Sequence, residues 1–222
     1  MTTTAQMKKL AAPLLARQPD LAMVRRTIIV QPVTHFVRGI TLDNSSGKVA
    51  FTPLWGATYL FRERTFFSLN WNRHFPPVKP GIWELAHPEH QSAFIAFAET
   101  EVLPQLRAMN SLDAFLAFTE SPEIDYSWTA LPMARLLIQA ALGDLPAAQK
   151  SYDLLRSFKK RPGGQEGEFF VKLLAGFGPA LESGDRQSIA RLLHQWERAT
   201  VEACKLAPYW QSTPFPIEQQ AA

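Results

Sequence analysis

The sequence predicts an α+β protein: a small antiparallel sheet in the N-terminal half, packed on a helical C-terminal half that ends in two helical hairpins. Three observations predict it. Residues 27–71 are dense in β-branched and aromatic side chains, which favour strands. From residue 88 onward the apolar residues recur at helical spacing. Two Gly-Asp turns, Ala141-Leu142-Gly143-Asp144 and Glu182-Ser183-Gly184-Asp185, each stop one helix and start the next. Glycine takes the left-handed conformation past a helix end, and aspartate accepts from the free N–H groups of the helix that follows.

The elements follow in chain order. Met7, Leu10, Ala11, Leu14 and Leu15 lie on one stripe and predict an amphipathic first helix with Pro13 inside it. Lys8-Lys9 ahead of an apolar stretch resembles a short signal peptide, but Arg17 follows at once with no cleavage site. A short strand is expected over 27–30, then strands over 34–42, 48–52 and 58–70, with Pro53 ending the third of these four. Residues 43–47 read as a hairpin loop. Phe36, Ile40 and Leu42 share a face, as do Val49 with Phe51, and Tyr59 with Phe61, Phe67, Leu69 and Trp71. The opposite face is mixed, which predicts a sheet covered on one side.

Pro76-Pro77-Val78-Lys79-Pro80-Gly81 divides a helix-plus-sheet part (1–80) from an α-helical part (81–210) of one domain spanning 1–222, with a polar, proline-rich tail over 211–222. Helices are expected over 88–109 with Pro104 as a kink, and over 111–118 capped by Ser111. The hairpins pair 128–142 with 144–160, and 166–182 with 185–206. The first hairpin resembles one tetratricopeptide unit over about 25 residues, but arrays need about three repeats and two are present, so ordinary helix pairs are expected.

Composition bounds the function. The chain has 222 residues, 46% of them hydrophobic, which is enough for a sizeable core. The net charge of +3 is spread thinly, and the tightest basic run, Lys159-Lys160-Arg161, complements a helix end. This argues against nucleic acid. No apolar run reaches the roughly 18 residues of a membrane span. One cysteine, Cys204, forbids an internal disulfide and suits a reducing, cytoplasmic setting. Phosphate loops, dinucleotide fingerprints, Cys-x-x-Cys pairs and nucleophile elbows are absent from the sequence.

Three residues stand out as ligand-binding candidates. Arg38 falls on the core face with Phe36 and Ile40, and Glu63 shares a face with Phe61 and Phe67. A charge there needs a partner or a cleft. Either they are structural, bonded to backbone or to the helical half, which is the commoner role of an inward Arg, or with His35 they line a ligand site. His74, His87 and His90, with Glu89, have metal-like spacing, although Pro88 and Glu89 equally suit the first turn of a helix. Arg62, Arg64, Ser68 and Asn70, with Lys48, would form a basic sheet face.

The stretch from Val30 to Ser46, with His35, Arg38, Gly39 and Asp43, followed by Phe51-Thr52-Pro53-Leu54, resembles the opening of a family of uncharacterised bacterial α+β proteins. Their pattern is a His-x-x-Arg-Gly strand, an Asp-x-Ser-Ser turn and a Pro-Leu after the next strand. The resemblance covers about 30 residues, marks His35, Arg38 and Gly39, and implies no catalytic assignment. By analogy it implies an immunity-like or accessory role. The expectation is therefore a non-catalytic, cytoplasmic interaction protein with a protein partner and no cofactor. The alternative is an enzyme or small-ligand binder with a cleft between sheet and helices lined by His35, Arg38 and Glu63.

Overall fold

A computed structural model of the chain describes residues 2–44, 50–66, 68–78, 81–124, 130–158 and 163–219. It shows an N-terminal antiparallel sheet followed by helices, an α+β protein. The chain divides into two compact units. Unit 1 joins Met1–Thr58 to Ser68–Asn110, and unit 2 joins Tyr59–Phe67 to Ser111–Ala222. The stretch at 76–81, where the sequence suggests a division, falls within unit 1. The first helices after it belong with the sheet, and a nine-residue segment from the strand region belongs with the later helices.

Unit 1 begins with α1 (Thr4–Arg17), closed at its start by a capping box in which Thr3 and Gln6 each bond the other's backbone N–H. Met7, Leu10, Ala11 and Leu14 are its buried stripe. The sheet runs β1 (Leu21–Val24), β2 (Thr27–Val30), β3 (Phe36–Asn44), β4 (Ala50–Tyr59) and β5 (Trp71–His74), each beside the next, and β6 (Trp83–Glu84) pairs with the start of β4. β1 is absent from the sequence reading because its hairpin turns at Arg25-Arg26, with Val24 opposite Thr27 and Arg25 at φ 55°, and carries no Asn-Gly signal.

Two strand expectations fail. β4 passes through Pro53 and ends at Tyr59, and among the described residues of 60–70 none is in a strand. Pro53 survives because β5 pairs with Leu54–Ala57 and β6 with Ala50 and Phe51, leaving Pro53 between them. Its carbonyl still accepts from Phe75 N–H at 3.1 Å. The sheet is also buried on both faces in its middle. Ile28 and Ile29 point to opposite sides, and both are sealed, as are Val37 and Ile40. The core is aromatic, with Phe75 stacked on Phe94 at 5.4 Å and Phe51 edge-on to Phe94 at 6.2 Å.

α2 (Pro88–Phe97) continues through a π turn (Ala98–Val102) into α3 (Leu103–Ala108). Pro104 has no N–H to give to the preceding turn. The wider turn, in which Leu103 N–H reaches Ala98 C=O, absorbs that defect.

Unit 2 contains α4 (Leu112–Thr119), α5 (Ala130–Leu142), α6 (Leu145–Ser157), α7 (Gly164–Lys172), a second π turn (Leu173–Phe177), α8 (Gly178–Glu182), α9 (Arg186–Ala203) and α10 (Pro216–Gln219). Ser111 caps α4, accepting from Ala114 N–H at 3.1 Å. The two Gly-Asp turns are built alike. Asp144 Oδ1 accepts from Ala147 N–H and Asp185 Oδ1 from Ser188 N–H, both at 3.0 Å. Gly143 and Gly184 stand at φ 84° and 67°, where a side chain would be strained. α5 packs on α6, and α8 on α9. The expected loose tail is instead docked through residue 219: Phe215 and Ile217 are both 0% exposed, and α10 packs on α5 and α9. Lys48 and the 159–161 basic run lie outside the described residues.

Candidate functional site

The sequence-predicted residues fall in both units. In unit 1, alternation along β3 puts Phe36, Arg38, Ile40 and Leu42 on one face. Arg38 is 9% exposed, and its guanidinium carbon lies 5.7 Å from the centre of the Phe36 ring. Its Nε is sealed from solvent with no hydrogen-bond partner. Burial pulls its pKa below the usual guanidinium value, and the charge of Asp20 opposes that shift. Asp20 itself is gripped by Arg107, whose Nε and Nη2 reach its two oxygens at 2.9 and 2.8 Å. That bidentate bond, with a smaller contribution from Arg38, holds the Asp20 carboxyl below its ordinary range.

His35 is buried in the bend that leads into β3. Gly39, next to Arg38, has a structural reason to be glycine. A Cβ there would overlap Ile28 O on β2.

The histidine cluster is at the start of α2. His87 Nε2 is 3.2 Å from Glu84 Oε2, and its Nδ1 is 3.0 Å from Glu89 Oε1. His90 Nδ1 accepts Glu84 N–H at 3.1 Å, so that lone pair is spent on the backbone. His74 ends β5, opposite Leu54. Among the described residues no three His, Cys, Asp or Glu side chains are grouped so as to hold a metal ion. The spacing of His87, Glu89 and His90 organises the loop before the helix.

Unit 1 also carries a groove of about 440 Å³ whose walls include Pro76, Pro77, Trp83, Ala93, Ala96 and Phe97. Ala93 and Ala96 are exposed on α2, and Ile82 nearby in sequence is 53% exposed. From sequence these apolar residues suggest only a turn and a helix stripe. Ala93, Ala96 and Phe97 recurring at three- and four-residue spacing are the signal of a second, outward stripe.

In unit 2, Glu63 is held by Lys172 of α7 at 2.6 Å beside a cavity of about 470 Å³, with Arg64, Thr65, Glu168 and Phe169 in its wall. The expected basic sheet face does not form. Arg62 lies over the Phe169 ring at 5.3 Å and Arg64 over Tyr59 at 5.3 Å, and neither is on a strand. The segment is tied to α9 by Thr200 Oγ1, which donates to Arg62 O at 2.6 Å.

One group of unit 2 is absent from the sequence-based candidates. His194 on α9 faces the buried Glu197 and, across from it, Glu218 of α10. A signal for it exists in the sequence. Glu197 shares a helical stripe with Leu193, Trp196, Thr200 and Val201, and a carboxylate on a buried stripe needs a partner.

No family model, no curated protein and no solved structure matches this chain. Among the described residues, no helix is long and apolar enough to cross a membrane.

Proposed function

We propose that this protein is a non-catalytic interaction protein of the cytoplasm that takes an apolar segment of a protein partner into the groove of unit 1. The observation that carries this reading is the outward apolar stripe of α2. Ala93 and Ala96 are small and exposed, and with the proline pair and Phe97 they make a shallow channel suited to a helix or an extended strand. Exposed apolar surface of this kind is a mark of contact sites. Cys204, the one cysteine of the chain, is buried, which fits a reducing compartment. An accessory or immunity-like role in a bacterium is the form of this reading that the resemblance at His35, Arg38 and Gly39 supports.

The test is capture from the native host. Wild-type bait should retain a partner near one-to-one, and the double variant Ala93→Arg, Ala96→Arg should lose it while unfolding at the same temperature. Equal capture by both baits would end the reading.

A second reading, a small-ligand binder using Arg38, is favoured by its sealed and unbonded Nε. A buried charged nitrogen without a partner is costly unless something else satisfies it, and a bound anion would. Arg38→Met should then leave the melting temperature level or raise it, and should abolish any stabilisation by acetate or inorganic phosphate. A fall of several degrees would assign Arg38 to the framework instead.

A further inference from the structure

We propose that His194 is a proton-operated clasp that fastens the C-terminal segment of unit 2 onto α9 and so keeps an apolar seat covered. The clasp is independent of the groove in unit 1. His194 Nε2 is 2.9 Å from Glu218 Oε2, and Nδ1 is 3.6 Å from Glu197 Oε2. Both ring nitrogens thus face carboxylate oxygens. Only an imidazolium can offer a proton to each; a neutral ring turns one lone pair towards an anion. One of those anions cannot escape into water, because Glu197 is 0% exposed.

Glu218 is also the keystone of the docked segment. The same Oε2 accepts Phe215 N–H at 2.6 Å, and Glu218 N–H donates to Phe215 O at 2.9 Å, so one carboxylate both caps α10 and holds the histidine. The Phe215 ring lies 4.7 Å from the His194 ring and 5.3 Å, edge-on, from Phe61. Phe215 and Ile217 are both 0% exposed there.

Other charged residues lie on the elements packed around α9 and α10. On α9, Arg191 and Arg198 flank it and are exposed, and Arg186 lines the cavity of about 450 Å³ shared by Arg191, His194 and Glu218. From α5, Arg135 is committed to Glu120 at 2.7 Å. From α8, Glu182 is held by Arg156 at 3.1 Å. Of the charged residues on α7 and the 59–67 segment, Lys172 and Glu63 hold each other; Arg62 and Arg64 lie over rings, and Glu168 borders the Glu63 cavity. Glu197 first, then Glu218, raise the His194 pKa against the opposing effect of burial. A pKa raised by folding means that the clasp contributes fully below about pH 6.5, the ordinary histidine value, and is lost as pH rises through the raised one.

The experiment is amide exchange and histidine NMR on the full chain from pH 5.5 to 9. Protection of the Phe215 and Glu218 amides, corrected for intrinsic exchange, should fall at least tenfold, with the midpoint of the His194 ring titration. Glu218→Gln keeps an acceptor but removes the charge, so it should move that midpoint to lower pH. His194→Gln should flatten the profile. Protection that stays level across the range, or that changes at a midpoint unrelated to His194, overturns the proposal. If His194→Gln does not fold, the shifted or unshifted midpoint of Glu218→Gln decides the matter.

Discussion

In both compact units a π turn precedes a helical proline, yet the units differ in what stands closest to their glycines. Ala98–Val102 comes just before Pro104 in unit 1, and Leu173–Phe177 just before Pro179 in unit 2. The same chemical defect, a missing N–H, meets the same local remedy. The tight places are not alike. Gly39 and Gly56 of unit 1 lie against backbone, where an added Cβ would overlap Ile28 O and Trp71 O respectively. Gly178 of unit 2 lies against the far end of a side chain, the Tyr152 hydroxyl. Strands brought together by their ladder cannot yield; a tyrosine can rotate.

The largest test of that contrast is Gly56→Ala or Gly39→Ala. Each should cost about 3 kcal/mol or more, since a ladder must break to make room, and lower Tm by roughly 6–12 °C in thermal unfolding. Gly178→Ala should stay within about 1 kcal/mol of wild type. It removes a helical glycine, worth about 1 kcal/mol, and sets against it the displaced Tyr152 bond to Leu174 O. Comparable losses at all three sites would erase the distinction.

A smaller contrast concerns ion pairs. Arg107 holds Asp20 through two bonds in unit 1, and Lys172 holds Glu63 through one in unit 2. All four side chains are at least a third exposed, so solvent screens both pairs. Asp20→Asn should cost about 1 kcal/mol at neutral pH and Lys172→Met less than about 0.5 kcal/mol, by denaturant titration. Because folding depresses the Asp20 pKa, its contribution is present above the ordinary carboxylate range and fades as pH falls through the depressed value. The stability difference between wild type and Asp20→Asn should therefore shrink in acid.

Helices are more legible than strands in this chain. The capped turns at Asp144 and Asp185 and the Ser111 cap are local devices, and local chemistry reads directly from sequence. The strand errors come from partners distant in the chain. Pro53 looks like a terminator until the gap between β5 and β6 is known, and residues 60–70 alternate like a strand yet none of the described ones is in a strand. For the candidate residues, the rule that a charge on an apolar stripe needs a partner selects Arg38 and Glu63. The structure gives Lys172 as the partner of Glu63. Applied to α9, the same rule selects Glu197 and leads to His194. The groove escapes a sequence reading because its proline wall reads only as punctuation.

The discontinuity of unit 2 sets an order of events in the cell. The 59–67 segment leaves the ribosome long before the helix it binds, and the Thr200–Arg62 bond joins residues 138 apart. At roughly 5–20 residues per second, translation separates those two residues by on the order of ten seconds. For that interval Phe61, destined for the interior beside Phe215, has to wait for the helices that will bury it. The stretch that gives unit 2 part of its core is thus also aromatic surface that the nascent chain leaves exposed for that interval, a place where a chaperone or a neighbouring chain would meet it.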